Sequence, residues 1–314
     1  MSAIERAVAV GGGTGLPNVL WCLLELGCET TAVVTMADDG GSSGHLRREL
    51  GMLPPGDARN CLVAMAEDPD SPLAKVFSYR FPHGEGLVGH ALGNLIIAAL
   101  AEIEGSFPDA LCVAADLLGT RGRVLPSTLD DVVLSAEDVE GGRVVGQVNV
   151  AESAAPIACV RFVGDEAAVA YPPAVEAIRE ADLVVVGPGS LFTSLLPNLL
   201  VHGIAEALRE CRGRVVYVCN VANQRGETSG MDAAEHLEAL LRHGLDGVFD
   251  LALVHDSDRF PILRDVEPVH GGVRQAAAIR ALGIDVMLTD LADQNDPRHH
   301  GRSRLLRALE EVAS

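Results

Sequence analysis

Ala7-Val8-Ala9-Val10 runs directly into Gly11-Gly12-Gly13-Thr14-Gly15, an apolar helical stretch follows from about Asn18 to Leu26, and Thr31–Thr35 (TAVVT) reads as a second strand. Strand, glycine loop, helix and strand in close succession make the βαβ unit of a nucleotide-binding fold. The fold class is therefore α/β: a modified Rossmann-like, doubly wound, mostly parallel sheet.

Downstream, a helix is expected from near Asp57 through Ala64, and another over Gly89–Ile103, where apolar residues recur at helical spacing. From Arg123 to Val163 the texture changes. Asp131–Leu134, Arg143–Val150 and Ala158–Val163 alternate or run β-branched, with Glu140-Gly141-Gly142 as a hairpin turn. This stretch, about 123–163, reads as an antiparallel β insertion in one domain spanning 1–314. The α/β rhythm then resumes. Strands are expected at Leu183–Val186, Val215–Cys219, Leu251–Val254 and Ile284–Leu288, and helices at Ala174–Glu180, from Ser190 to near Cys211, Met231–His243 and Ser303–Val312.

Composition restricts the function classes. Aromatics make up only 4% of a chain that is 48% hydrophobic, so the core must be Val, Leu, Ile and Ala, as suits a parallel sheet covered on both faces. The formal net charge of −20 repels nucleic acid polymers and anionic membranes. A bound phosphate must then be held by backbone N–H groups, helix N-termini, a metal or a few local arginines. Lys75 is the only lysine, which leaves almost no candidate for a Schiff base or a P-loop lysine. Seven scattered cysteines without a C-x-x-C pair suggest reduced thiols. The opening lacks a signal-peptide apolar region, and no long uninterrupted apolar run appears, so a cytoplasmic protein with no membrane span is expected.

In an open parallel sheet, ligands bind outside the carboxyl ends of the strands. Here those ends read GGGTG, ADDGGSSG, GPGS and CNVANQRGET. Glycines let backbone approach a ligand closely, and the helix start behind each loop aims N–H dipoles at an anion. Gly12, Gly13, Thr14, Gly15, Gly187, Gly189 and Ser190, with Ser42 and Ser43, are the candidate phosphate-holding positions. The first loop is neither G-x-G-x-x-G, since Leu16 and Asn18 occupy the required glycine positions, nor a P-loop, since no G-K-[ST] follows.

Asp38 and Asp39 stand where an acidic side chain meets a ribose hydroxyl; alternatively the pair holds Mg²⁺ beside a diphosphate, or one caps the next turn. Asp57 is a pocket residue or a plain N-cap. Asn60 lies in an apolar helix and needs a polar partner. His90 and Asn94, four apart, share a helix face, turned either to the pocket or to backbone partners. Thr193, Ser194 and Asn198 lie behind GPGS, and the first turn there can touch a phosphate. Asn220, Gln224 and Thr228 suit a sugar or base, or merely solvent. His299-His300 reads as a solvated tail segment. No catalytic triad, nucleophile elbow or zinc-protease motif is legible.

The ordered strings GGGTG, ADDGGSSG, PPGDARNCL, GHALGNLIIAAL, LPST, GPGSLFTSLLPNLLV and CNVANQRGET resemble the gluconeogenesis factor (YvcK-like) family, a branch of the superfamily that includes the CofD-like 2-phospho-L-lactate transferases. The resemblance implies a nucleotide-sugar-binding regulatory protein, with UDP-N-acetylglucosamine as the type ligand, needed for cell shape and wall synthesis on gluconeogenic carbon sources. Family habit points to a homodimer. The alternative it carries is a Mg²⁺-dependent phospholactate transferase acting on a deazaflavin. An NAD-like dinucleotide is a further ligand, although the broken fingerprint disfavours hydride transfer. By resemblance, Gly11–Gly15 match the phosphate loop, Asp38-Asp39 the acidic pair, Asp57, Asn60, His90 and Asn94 the polar positions, and Gly187–Ser190 the second glycine loop. Departures occur at Ala222-Asn223-Gln224-Arg225-Gly226-Glu227-Thr228, where the family pattern is Met-Thr-Gln-Pro-Gly-Glu-Thr, and in the first helix, which carries Pro17 and Trp21 and lacks the usual basic residue. They bear on base and sugar preference more than on fold.

Overall fold

A computed structural model describes residues 4–164, 167–257 and 266–314. Its strands are β1 (Arg6–Gly11), β2 (Glu29–Val34), β3 (Gly122–Pro126), β4 (Leu134–Asp138), β5 (Arg143–Val145), β6 (Ile157–Phe162), β7 (Leu183–Val186), β8 (Arg214–Val218), β9 (Leu251–His255) and β10 (Asp285–Thr289). Seven form one parallel sheet in the order β10-β9-β8-β7-β1-β2-β3, and the remaining three form an antiparallel sheet, β5-β4-β6. From β1 the chain winds outward to β3, returns on the other side at β7, and winds outward again to β10. Its direction reverses between β1 and β7. A crevice opens above the carboxyl ends at such a point.

Helices α1 (Leu16–Glu25), α2 (Gly41–Leu50), α3 (Gly56–Ala64), α4 (Pro72–Ser78), α5 (Leu92–Glu104) and α6 (Phe107–Leu118) precede β3. After it come α7 (Gln147–Ala151), α8 (Pro172–Glu180), α9 (Leu196–Leu199), α10 (Ile204–Arg209), α11 (Ala233–Arg242), α12 (Val273–Ala281) and α13 (Arg302–Ala313). Alternating strand residues feed two cores. Ala7, Ala9, Val34, Val185 and Val218 pack with Leu16, Leu20 and Leu23 of α1 and with Leu305 and Leu309 of α13. Val8, Val10, Val184, Val186 and Tyr217 pack on the opposite face with Ile178, Leu196, Ile204 and Leu237. The antiparallel sheet joins this second core through Leu134, Ala136 and Val160. Each fully buried leucine stabilises the fold by roughly 1.5–3 kcal/mol. Among the described residues no helix is long and apolar enough to cross a membrane.

Four sequence expectations need correction. The strand expected over Asp131–Leu134 begins only at Leu134 and runs on to Asp138 as β4. Gly122–Pro126, placed by its texture in the insertion, is the edge of the main sheet, paired in parallel with β2. The stretch Arg143–Val150 divides into β5 and α7, because Gly146 at φ +98° turns the chain and Asp39 accepts from the first N–H groups of α7. The single helix expected behind GPGS is a π-helical turn over Leu191–Leu195 that continues into α9, then α10 after Gly203 at φ +101°. Pro197, early in α9, and Gly203 interrupt the ladder. The hairpin turn at Glu140-Gly141-Gly142 is present: Asp138 Oδ1 accepts from the N–H groups of Glu140 and Gly142 at 2.9 and 2.8 Å.

Candidate functional site

The glycine loops of β1 and β7 meet at the reversal point. Gly13, Thr14, Gly15 and Asn18 form one wall of a cleft of about 430 Å³, and Pro188, Gly189, Ser190 and the segment Asn220–Gln224 form the other, with Arg298, His299 and His300 completing it. Approach is so close that a Cβ on Gly15 would lie 2.5 Å from the Pro188 carbonyl oxygen. Gly13 adopts φ +67°, a conformation L side chains rarely take. Gly187, at φ +83°, lies outside the cleft lining; a Cβ there would stand 2.9 Å from the Val218 carbonyl oxygen, so its smallness serves the strand contact.

The second wall is cross-braced. Asn220 Oδ1 accepts from Gly189 N–H at 3.1 Å, and its Nδ2 donates to the Gly189 carbonyl at 2.8 Å. Ser190 Oγ donates to Gln224 Oε1. Beneath lies Glu227, 2% exposed, which accepts from Thr193 Oγ1, from Phe192 N–H at 3.2 Å and from Gln224 Nε2 at 3.0 Å. Burial pushes its carboxyl up, against these hydrogen bonds. Thr193 therefore braces the loop from below and does not face the cleft. Asn198 Nδ2 likewise donates inward, to the carbonyls of Gly11 and Ser194 at 2.8 and 2.9 Å.

A second cleft, about 250 Å³, lies beyond the first loop and contains Asp38, Ser42, Ser43, Asp57, Arg59, Asn60, Arg80 and Asn94. Asp57 connects the two. It accepts from the Gly13 backbone N–H, and a Cβ on Gly12 would lie 2.5 Å from its Oδ2. Gly12 is thus needed for the carboxylate's approach rather than for contact with a ligand. Burial pushes Asp57 up to about 6, with the Asp38 charge adding to the shift. Burial also raises Asp38, against hydrogen bonds from Gly40 N–H and Ser43.

His90 precedes α5 instead of sharing its face with Asn94, yet both converge on Ser42. Ser42 Oγ lies 3.1 Å from His90 Nδ1, receives Asn94 Nδ2 at 3.1 Å and receives Ala91 N–H at 3.4 Å. With two donors already pointing at it, the hydroxyl gives its proton to His90 Nδ1. Burial lowers the imidazole's pKa accordingly.

The acidic pair is separated. Both oxygens of Asp39 accept backbone N–H groups at the start of α7, Gln147 at 2.8 Å and Val148 at 3.0 Å, so Asp39 ties the antiparallel element to β2 and faces neither cleft. The adjacent-pair arrangement expected for Mg²⁺ is not what these side chains form. The carboxylate sharing a cleft with Asp38 is Asp57. Among the described residues no group of three or more His, Cys, Asp or Glu could hold a metal ion.

His300, expected in solvent, is buried and lines the first cleft, with Nε2 3.0 Å from the Cys219 carbonyl. Since a carbonyl only accepts, Nε2 carries the proton. Burial pushes the ring down to about 4, so it is neutral at physiological pH. His300, Arg298, Arg59, Arg80, Asn18 and Glu227 are among the site residues that sequence reasoning missed; a polar dipeptide or a lone arginine carries no signal until the fold closes over it.

Fold and clefts together define a parallel α/β protein with a polar crevice at the topological switch point and a second polar cleft beside the first glycine loop. Residues 7–292 match the family described as 2-phospho-L-lactate transferase CofD. A gluconeogenesis factor from Halalkalibacterium halodurans is 40% identical over 312 residues, covering 98% of this chain and 96% of the relative, and one from Bacillus subtilis is 40% identical over 320 residues, covering 99% of each. A putative gluconeogenesis factor from Nostoc is 45% identical over 251 residues, which is 80% of this chain but only 55% of that longer protein. A solved structure from Bacillus halodurans superposes with a TM-score of 0.89 at 38% identity, covering 98% of this chain and 99% of that one. The chain belongs to the gluconeogenesis factor family, within the CofD group.

Proposed function

We propose that the switch-point cleft binds a nucleotide diphosphate sugar of the UDP-N-acetylglucosamine type and that the protein acts as a cytoplasmic regulator of cell shape and wall synthesis on gluconeogenic carbon, without turning the ligand over. The observation that carries this reading is the meeting of two glycine loops, Gly13–Gly15 and Pro188–Ser190, across one cleft. A diphosphate can lie there against backbone N–H groups, in a protein otherwise too negative to attract it. Asn18 turns its amide N–H₂ to the cleft, which Asn220, Asn223 and Gln224 line with amides braced within their loops, and Arg298 supplies the cleft's only guanidinium among the described residues. The lining holds hydroxyls but pairs none of them with a base in hydrogen-bond reach, which favours holding over chemistry.

Titration calorimetry with UDP-N-acetylglucosamine, NAD and guanosine nucleotides, with and without Mg²⁺, tests the reading. Saturable, metal-independent binding of the UDP-sugar with the compound recovered intact supports it. Binding only of a guanosine diphosphate donor with Mg²⁺, and product formation on adding a deazaflavin, would replace it with a phospholactate transferase. Asp57, half-buried in the second cleft with Asp38, is a carboxylate that second reading would draw on.

A further inference from the structure

His243, at the carboxyl end of α11, is held by both of its ring nitrogens. Its Nδ1 lies 2.7 Å from the Ala239 carbonyl, one turn back, and its Nε2 accepts from Val160 N–H at 3.0 Å. A carbonyl only accepts and a backbone N–H only donates, so the proton sits on Nδ1 and Nε2 is a bare lone pair. The ring is neutral, with its tautomer fixed from two sides. Burial pushes its pKa below the ordinary 6.5.

Val160 belongs to β6, an outer strand of the antiparallel sheet, where it stands opposite Ala136 of β4. An outer strand leaves N–H groups unpaired unless another element covers them, and here a histidine from α11 covers one. The same ring meets Phe192 of the π-helical turn edge-on, with centroids 6.3 Å apart. Phe192 N–H in turn donates to Glu227, the brace beneath the second glycine loop. The antiparallel element reaches that segment again at Gly226. There, at φ +90°, a Cβ would lie 2.6 Å from the Ala151 carbonyl oxygen at the end of α7.

A proton on Nε2 finds no counter-charge at this contact. Among the described residues no carboxylate is hydrogen-bonded to either ring nitrogen. On α11, Arg242 follows directly, 3.9 Å from Glu238, and its charge disfavours a second cation. On β6, the neighbours of Val160 are Cys159 and Arg161, and Arg161 is paired with Glu137 at 2.9 Å. The π-helical turn brings an uncharged ring, and Glu227 behind it is occupied by Thr193, Phe192 and Gln224. From α10, Arg209 donates to the carbonyls of Gly244 and Asp246. Protonation therefore exchanges the Val160 hydrogen bond for two N–H groups pointed at each other.

We propose that His243 is a proton-operated latch: the neutral ring fastens the antiparallel sheet to α11 beneath the second glycine loop, and protonation at Nε2 releases β6. Because Phe192 and Gly226 join the same contact to the Asn220–Thr228 segment, release loosens the second wall of the switch-point cleft. The latch holds above the ordinary histidine value of 6.5 and opens as pH falls through the lowered one. It operates whatever that cleft binds.

Native-state hydrogen exchange of the Val160 amide in ligand-free, ¹⁵N-labelled protein tests the latch from about pH 8 to pH 5, after correction for intrinsic exchange. Protection is expected at the neutral end and should fall roughly tenfold or more toward the acid end, while the Val185 amide of the main sheet keeps its own. His243→Gln takes up no proton, so its Val160 protection should be level with pH. His243→Phe, which removes the acceptor, should show at neutral pH the low protection of acidified wild type. If that variant fails to fold, wild type and His243→Gln decide. Val160 protection that is level with pH in wild type, or that falls equally in His243→Gln, overturns the inference. So does a fall shared with Val185, which would report unfolding of the whole domain, or imidazole ¹⁵N shifts that put the neutral-pH proton on Nε2.

Discussion

Asn220 and Gly189 hold each other in both directions, the amide oxygen accepting from the glycine N–H at 3.1 Å and the amide nitrogen donating to its carbonyl at 2.8 Å. The loop after β7 is thereby fixed to the loop after β8. Asn220→Ala removes both bonds and should cost about 1–3 kcal/mol in stability. Asn220→Asp keeps the acceptor but sets a carboxylate oxygen against the Gly189 carbonyl, so it should cost at least as much. If the cleft binds as proposed, calorimetry should find UDP-sugar affinity lowered in both variants, and more in the aspartate variant, whose charge also repels the diphosphate. Equal stability and affinity in wild type and Asn220→Ala would show that the clamp is dispensable.

Glycine size can be tested apart from glycine flexibility. Gly12 and Gly15 have no unusual φ, yet a Cβ would lie 2.5 Å from Asp57 Oδ2 in one case and 2.5 Å from the Pro188 carbonyl oxygen in the other. Gly15→Ala must push two backbone loops apart and should lose about 1–3 kcal/mol of stability. Gly12→Ala meets a side-chain carboxylate, which can shift, so its stability loss should be smaller. Thermal and denaturant unfolding of the two variants checks the ranking; a larger loss in Gly12→Ala would mean that Asp57 is held more rigidly than the backbone of the Pro188 loop.

The main sheet is legible in the sequence because parallel strands buried on both faces read as short β-branched runs, as at Val184–Val186. The glycine loops are legible for the same local reason. Helix α6 escapes such a reading: Ser106 and Asp109 form a cap signal with Pro108 in the first turn, but serine, proline and aspartate in close order also spell a turn. The division of the polar residues into two clefts is not legible. It depends on the reversal between β1 and β7 and on Asp39 turning away to cap α7, both of which are long-range events. His300 has no local signal at all: burial of a histidine in a polar dipeptide is decided by Cys219, whose carbonyl its Nε2 meets 3.0 Å away.

Asp57 and His300 should impose opposite pH slopes. Burial raises Asp57 from 3.8 to about 6, so the folded state keeps a proton that the unfolded state has already released. Its stabilising contribution is full below 3.8 and is lost as pH rises through about 6. Burial lowers His300 from 6.5 to about 4, so stability is lost as pH falls through that window, where the unfolded state binds the extra proton. Each effect is on the order of 3 kcal/mol, and over the shared range they offset one another. Asp57→Asn should therefore make the protein more acid-sensitive, and His300→Gln should make it gain stability toward acid pH. Urea unfolding across about pH 4–7 measures both slopes; parallel profiles for the two variants would contradict the assignment.

Glu227 is a buried carboxylate that braces both loops of the proposed nucleotide cleft. Its Oε1 receives Thr193 Oγ1 and Gln224 Nε2, and its Oε2 receives Phe192 N–H. In Glu227→Gln one oxygen becomes an N–H₂ group. The backbone N–H of Phe192 cannot reverse, so the new amide must face Thr193 and Gln224, and the Gln224 amide must flip to accept it. That flip turns Gln224 Nε2 toward Ser190 Oγ and disturbs the contact that now orients the second glycine loop. Glu227→Gln should cost about 1–3 kcal/mol and weaken ligand affinity, and Glu227→Ala should cost more, because it leaves a buried N–H unpaired and opens a cavity. Burial raises the Glu227 pKa, so its stabilising effect is full below the ordinary value of 4.5 and falls as pH climbs through the raised one. The penalty of Glu227→Gln should accordingly be largest in acid and shrink toward neutrality. Unfolding free energies of wild type and variant at several pH values measure it, and a penalty that grew with pH would mean that the carboxylate is stabilised by a charge instead of by neutral donors.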